Sequence, residues 1–199
     1  MRPTQIRVKK MQKVIFLSAA ILMLFIFQLK AQDVRKDADN IQTKMEAFSS
    51  KTGVITKFID FQLPDMVTTY GKSETRIRKI KSDNTELYFY QIEKEGKFDS
   101  STASIEYSDL IEEIKAVQTL KMEVDLDVAA NPNYMENNFT TADGFQIGYY
   151  VSKGKPTWYI QLEKYGSDKT LFIADGDIID IAFTNAKNKI DELKMNNPI

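Results

Sequence analysis

An internal repeat constrains the fold of this 199-residue chain more than any other feature of its sequence. At a shift of 70 residues, segment 87–96 (LYFYQIEKEG) aligns with segment 157–166 (TWYIQLEKYG), so that Gln, Glu, Lys and Gly coincide. Further along, at a shift of 68, Asp109 aligns with Asp177, and both precede helical patterns. A repeat of this kind indicates the architecture, because each copy buries its apolar side against its neighbour.

Each copy is predicted to contain three short strands followed by a helix, because alternating apolar residues give way to apolar residues spaced three and four apart. The first copy covers about residues 74–122 and the second about residues 139–193. Residues 128–138 between the copies are rich in Asn and include Pro132, so we expect an irregular connector there.

A predicted helix over residues 33–50 and a predicted strand over residues 54–61 precede the repeat. We therefore predict one α+β domain over residues 32–199. Its antiparallel sheet would contain six or seven strands from a duplicated β-β-β-α unit, and the helices would pack on one face of that sheet.

Strand alternation separates the side chains of the predicted sheet into two faces. The more apolar face, which we expect beneath the helices, carries Tyr88, Tyr90, Ile92, Trp158, Ile160 and Leu162. The opposite face carries an aromatic–Gln–Glu stripe twice: Phe89, Gln91 and Glu93 in the first copy, and Tyr159, Gln161 and Glu163 in the second. We expect Phe172 and Tyr149 on this second face as well.

The repeated stripe is the candidate ligand-binding surface. Aromatic rings beside amides and carboxylates suit saccharide, peptide or protein surfaces. The alternatives are that the N-terminal helix covers this face, or that cross-strand aromatic pairs only stabilise the sheet.

The N-terminus predicts export from the cytoplasm. Residues 1–13 hold five basic residues and no acidic one, a run of 16 mainly apolar residues follows at 14–29, and Ala31 offers a small residue for cleavage. The run is shorter than the roughly 17–25 residues of a spanning helix. We predict a signal peptide over residues 1–31, a periplasmic or extracellular product, and no stable membrane insertion after cleavage. The alternative is an uncleaved anchor.

Composition excludes several classes of function. Residues 1–31 hold six of the 27 basic residues and none of the 28 acidic ones, so the remainder carries a net charge of about −7, which argues against nucleic acid as a partner. The chain has no Cys and no His, which removes disulfides, Ser-His-Asp and Cys-His catalysis and the usual zinc sites. We predict no cofactor and no metal.

Two groups of acids remain to be interpreted. Asp175, Asp177 and Asp180 surround a glycine, but their spacing does not match an EF-hand, so we interpret Asp177 as a helix cap. Glu93 and Glu163 are the best candidates for a pair of catalytic carboxylates, because the repeat would place them on adjacent strands.

The function that these patterns favour is an exported, non-enzymatic binding or interaction module of the cell envelope or secreted space. Its partner would be a protein, a peptide or a saccharide. One alternative is a carboxylate-dependent hydrolase that acts on envelope glycan. Another is a structural envelope protein held in the membrane by its uncleaved N-terminal segment.

Overall fold

The computed structural model describes residues 42–96, 100–163 and 169–196, and within them the protein has an α+β fold. In chain order the elements are α1 (Lys44–Ser49), β1 (Thr56–Thr68), β2 (Gly71–Ser82), β3 (Thr85–Glu95), β4 (Ser100–Glu106), α2 (Tyr107–Ala129), β5 (Tyr134–Thr140), β6 (Gln146–Ser152), β7 (Lys155–Gln161), β8 (Thr170–Ile173) and α3 (Gly176–Met195). The predicted signal peptide, and the first half of the helix predicted over residues 33–50, lie outside the described residues.

The strands form two antiparallel sheets: sheet A in the order β1-β2-β3-β4, and sheet B in the order β5-β6-β7-β8. The prediction of a single sheet with six or seven strands was therefore wrong. The sheets meet where the backbone N–H of Thr69, just after β1, donates to the carbonyl of Phe172 in β8, at 2.8 Å. Each half has four strands before its long helix: in the first half the fourth is the strand predicted over residues 54–61 outside the repeat, and in the second half it is β5, which was not predicted.

Two features of the sequence explain why the second part of β1 and the whole of β5 were not predicted. β1 continues through Pro64 to Thr68, because a shift in register between Leu63 and Met66 accommodates a residue that cannot donate a ladder hydrogen bond. β5 lies largely within the predicted connector. It is an edge strand on which only alternate residues pack inward, so its polar residues resemble those of a loop.

The central hairpins of the two sheets have the same register. Ile80 pairs with Leu87 in sheet A, and Tyr150 pairs with Thr157 in sheet B, 70 residues further along the chain. The outer strands are added on the same sides, since each sheet is built from four strands in sequential order. Positions in one hairpin therefore have direct counterparts in the other.

One apolar core joins the halves. Helices α2 and α3 pack against each other and against both sheets. The core includes Tyr88, Tyr90, Ile92, Trp158, Ile160 and Leu162, which confirms the inner face predicted from strand alternation. The ring of Phe183 in α3 lies 5.6 Å from the ring of Tyr90 in sheet A and 6.3 Å from that of Phe145, which precedes β6. Because the core is shared, neither sheet is buried by its own helix alone.

The acids near the starts of the long helices are structural. Asp175 caps α3 by accepting a hydrogen bond from the backbone N–H of Asp177, so the cap is two residues earlier than predicted. Asp177 lies in the first turn, 2.5 Å from the ammonium of Lys121. In α2 the cap is Glu106, and Asp109 binds Lys44 of α1 at 2.6 Å. These contacts tie α1 to α2 and α2 to α3.

Candidate functional site: the outer face of sheet B

The first predicted stripe lies on the outer face of sheet A, and α1 covers its aromatic residue. The ring of Phe89 is fully buried and forms a small second core with Ile80 and with Phe48 of α1. Met45 of α1 and Leu87 of β3 pack against the same cluster. On this sheet the helix that precedes β1 covers part of the outer face, which is one of the alternatives weighed above.

The polar members of that stripe are engaged within sheet A. The guanidinium of Arg76 donates to Gln91 and to Glu93, each at 2.8 Å, and the amide of Gln91 donates to Ser104 at 2.8 Å. The hydrogen bond from Arg76 holds the pKa of Glu93 below its usual value. Gln91 and Glu93 thus form part of a ladder across the strands, and Gln91 is almost completely buried.

Among the described residues, the outer face of sheet B is exposed along its edge strand β5, whereas at its centre Tyr159 on β7 is only 5% exposed. Along β5, Tyr134, Glu136 and Asn138 point outward and are exposed, whereas Met135 and Phe139 pack on the core. Tyr134 retains 60% of its possible exposure. The helices α2 and α3 pack on the opposite, core-facing side of this sheet.

Five aromatic residues lie on this outer face and at the adjoining turn, and we call them the aromatic band: Tyr70, Phe172, Tyr159, Tyr150 and Tyr134. Tyr70, in the β1–β2 turn, meets Phe172 edge to face at 6.2 Å, and Phe172 pairs with Tyr159 across β7 and β8. At the other end, the rings of Tyr150 and Tyr134 stack at 6.0 Å. The band therefore spans all four strands of sheet B, about 15 Å across at ordinary strand spacing.

Gly148 has no side chain on the outer face, so the side chain of Tyr159 can cross β6 to reach β5. It faces Tyr159 across β6 and β7, while Glu136 lies on β5, beyond β6. The Tyr159 hydroxyl nevertheless donates to a carboxylate oxygen of Glu136, so its ring extends over the glycine. The Tyr134 hydroxyl donates to the other oxygen of Glu136 at 2.9 Å. One exposed carboxylate is thus held by two tyrosines.

The second predicted stripe is only partly within this band. Tyr159 is one of its members, and the amide of Gln161 donates to the backbone carbonyl of Glu163 at 3.0 Å. Glu163 follows β7 and forms an ion pair with Lys169. Glu93 and Glu163 therefore belong to different sheets, and the prediction that they occupy adjacent strands was wrong.

Hydrogen bonding and stacking are the chemistry that this face offers. The hydrogen bond to Glu136 raises the pKa of Tyr134, while burial and then the bond to Glu136 raise the pKa of Tyr159. Both hydroxyls therefore stay protonated at neutral pH and act as donors. Among the described residues no group of three or more acids is arranged to hold a metal ion.

An apolar cleft of about 340 Å3 lies elsewhere, between the irregular part of β1 and helix α3. Its lining includes Leu63, Met66, Val67, Ile178 and Ile181, none of which belongs to the aromatic band. The described helices include none that is long and apolar enough to cross a membrane.

Comparison with protein-family models, with curated proteins and with solved structures returned no match. The candidate site is therefore identified from the contacts and exposure of this chain's own residues. Sequence reasoning missed Tyr134 and Glu136 because their segment resembled a connector, although alternation of outward residues with Met135 and Phe139 was the available signal. Phe172 lies on the expected face, whereas Tyr149 faces the core.

Proposed function

We propose that this protein is an exported, non-enzymatic binding module of the cell envelope or secreted space, with the aromatic band of sheet B as its ligand surface. The observation that supports this proposal most strongly is the contrast between the outer faces of two hairpins with the same register. One face is covered by a helix of the same chain, and the other is rich in tyrosine and, among the described residues, exposed along β5.

The contrast lies in residue type rather than in burial at every position, since Tyr159 is itself only 5% exposed. Ile80, Leu87 and Phe89 form the buried patch beneath α1. At a shift of 70 residues their counterparts in sheet B are Tyr150, Thr157 and Tyr159. Tyrosine combines a large apolar ring with a hydroxyl that stays hydrated, which is why it is enriched at surfaces that alternate between water and a partner. Tyrosine and threonine in place of isoleucine, leucine and phenylalanine are expected on a surface that is hydrated in the free protein and buried when a partner binds.

We further infer that the two halves are copies of one ancestral unit, now β-β-β-β-α in form. The matching hairpin registers and the shared Gln, Glu, Lys and Gly of the repeat support this inference. Duplication would explain why one copy retained a covered apolar face while the other was free to acquire a ligand.

Export is the second part of the proposal, and it rests on residues 1–31. The basic start, the apolar run and Ala31 support cleavage by a signal peptidase. The net charge of about −7 on the remainder fits a soluble product. Mass analysis of the product from cells tests this part: a chain that begins at Gln32 supports it, and a chain that retains residues 1–31 contradicts it.

The binding proposal predicts a ligand-dependent gain in stability that requires the aromatic band. The purified protein would be screened by thermal shift against oligosaccharides and peptides. A ligand at about 100 times its Kd adds about 2.7 kcal/mol to the free energy of unfolding. Tyr134→Ser together with Tyr150→Ser should abolish the shift, because both rings lie at the exposed end of the band.

The matched control is Phe58→Ser, which removes a 49% exposed aromatic ring from the outer face of sheet A. It should leave the ligand-induced shift unchanged. Equal loss of the shift in Phe58→Ser and in the Tyr134/Tyr150 variant would contradict the assignment of the ligand surface to sheet B.

A further inference from the structure

Glu136 is placed to accept more hydrogen bonds than the protein supplies. A carboxylate has about four acceptor positions on its two oxygens. The hydroxyls of Tyr134 and Tyr159 occupy one position on each oxygen. The residue is exposed, and within the described residues no Lys or Arg forms an ion pair with it. A carboxylate with free acceptor positions therefore faces outward from the aromatic band.

Aromatic rings surround this carboxylate. Glu136 lies directly opposite Tyr150 across β5 and β6, and Tyr134 lies two residues before it on the same face. The rings of Tyr134 and Tyr150 are stacked with an angle of 25° between their planes, so two aromatic rings lie together beside the carboxylate. A carboxylate that adjoins tyrosine faces is the arrangement that binds an organic cation, by a charged hydrogen bond and cation–π attraction together.

Overall charge favours the same class of partner. The chain beyond residue 31 carries a net charge of about −7, which attracts cationic partners and repels anionic ones. The other acids of this region are engaged differently: Glu163 pairs with Lys169, and Glu123 accepts from the side chain of Asn137 at 2.7 Å. Glu136 is the acid that lies within the band.

We propose that the ligand of this surface is a basic peptide segment whose Lys or Arg side chain binds between Glu136 and the paired rings of Tyr134 and Tyr150. This inference rests on the proposed function, because it names the partner of the same face. The ammonium or guanidinium donates to the free positions of the Glu136 carboxylate. The alkyl stem of the side chain lies along the rings, and the peptide continues across the band toward Phe172.

The test uses the protein purified after expression of the full chain and three fluorescent peptides of equal length: four Gly-Arg repeats, four Gly-Gln repeats and four Gly-Glu repeats. Binding is measured by fluorescence anisotropy. We expect the Gly-Arg peptide alone to bind, with an affinity that falls as salt is raised. Glu136→Gln should weaken binding at least about fivefold, since the variant keeps the hydrogen-bond acceptor and loses the charge.

The matched control is Glu192→Gln in α3, which removes the same charge from an exposed glutamate on the far side of the sheets. It should change the affinity less than twofold, whereas Tyr134→Leu should weaken binding like Glu136→Gln. Equal weakening by Glu192→Gln and Glu136→Gln would overturn the inference, because it would indicate nonspecific charge attraction.

The failure of this inference can be distinguished from failure of the proposed function. If no basic peptide binds but an oligosaccharide or a neutral peptide shows a shift that depends on Tyr134 and Tyr150, the cation site is wrong and the binding face stands. If the Gly-Glu peptide binds as well as the Gly-Arg peptide, the cation site is likewise wrong. If the Gly-Arg peptide binds equally well to the Tyr134→Ser, Tyr150→Ser variant, both proposals fail.

Discussion

Replacing Glu113 with glutamine is expected to remove most of the pH dependence of folding stability above about pH 5, and to stabilise the protein at alkaline pH. Glu113 lies in α2 with no exposed surface, and neither of its carboxyl oxygens has a hydrogen-bond partner among the described residues. Burial raises its pKa well above the ordinary value of 4.5, and the nearby charge of Asp109 adds to this, while Lys44 opposes it.

The sign of the effect follows from the proton count. Between about pH 4.5 and the raised pKa of the folded state, the unfolded chain has lost this proton while the folded protein retains it, so the free energy of unfolding falls as pH rises, by up to about 1.4 kcal/mol per pH unit. Urea unfolding at several pH values measures the slope. Wild type should lose stability toward alkaline pH, and Glu113→Gln should lose much less. Parallel stability profiles for the two proteins would contradict this account of Glu113.

Substituting Gly148 by alanine is expected to destabilise the protein by about 1–3 kcal/mol or more. A Cβ at this position would lie 2.4 Å from the backbone oxygen of Asn137 and 2.7 Å from the Cβ of Asn138, both on the neighbouring strand β5. Since the obstructing atoms belong to the backbone and its first side-chain carbon, β5 must move away from β6. The Tyr159 ring that extends over the glycine should then lose its hydrogen bond to Glu136.

Chemical unfolding of Gly148→Ala measures this cost, and Gln146→Ala on the same strand and face is the control, with an expected change within about 0.5 kcal/mol. Adding Asn138→Gly to the Gly148→Ala variant should recover part of the lost stability, because it removes the Asn138 Cβ, one of the three atoms that obstruct the new methyl group. A Gly148→Ala protein as stable as wild type would show that β5 does not approach β6 this closely.

The inner face could be predicted from the sequence because burial is periodic. Tyr90 and Ile92, like Trp158 and Ile160, recur at every second residue on strands that are central in their sheets, so their pattern depends on local geometry alone. Sheet number could not be predicted in the same way. Whether two sets of strands form one sheet or two depends on long-range pairing, and here the sheets are linked at β1 and β8 by the hydrogen bond from Thr69.

The candidate site was likewise predicted where local strand geometry determines it and missed where long-range contacts do. The repeat identified Phe89 and Tyr159 as equivalent positions, which their matching hairpin registers support. It could not show that Phe89 is covered by α1, because a six-residue helix held by a capping box and by contacts of Lys44 with Asp109 and Asp143 is positioned by tertiary contacts. The site was missed on β5 because an edge strand with polar outward residues has the composition of a loop.

Site-specific photocrosslinking in the producing cells tests most directly the claim that the outer face of sheet B is the ligand-binding surface. A photoreactive amino acid would replace Tyr150 in one strain and Phe58 in another, which places the probe on the outer face of sheet B or of sheet A. We expect a discrete adduct from position 150 that decreases when Glu136 is changed to glutamine, and none from position 58. An adduct of equal yield from position 58, or none from position 150, would contradict this claim.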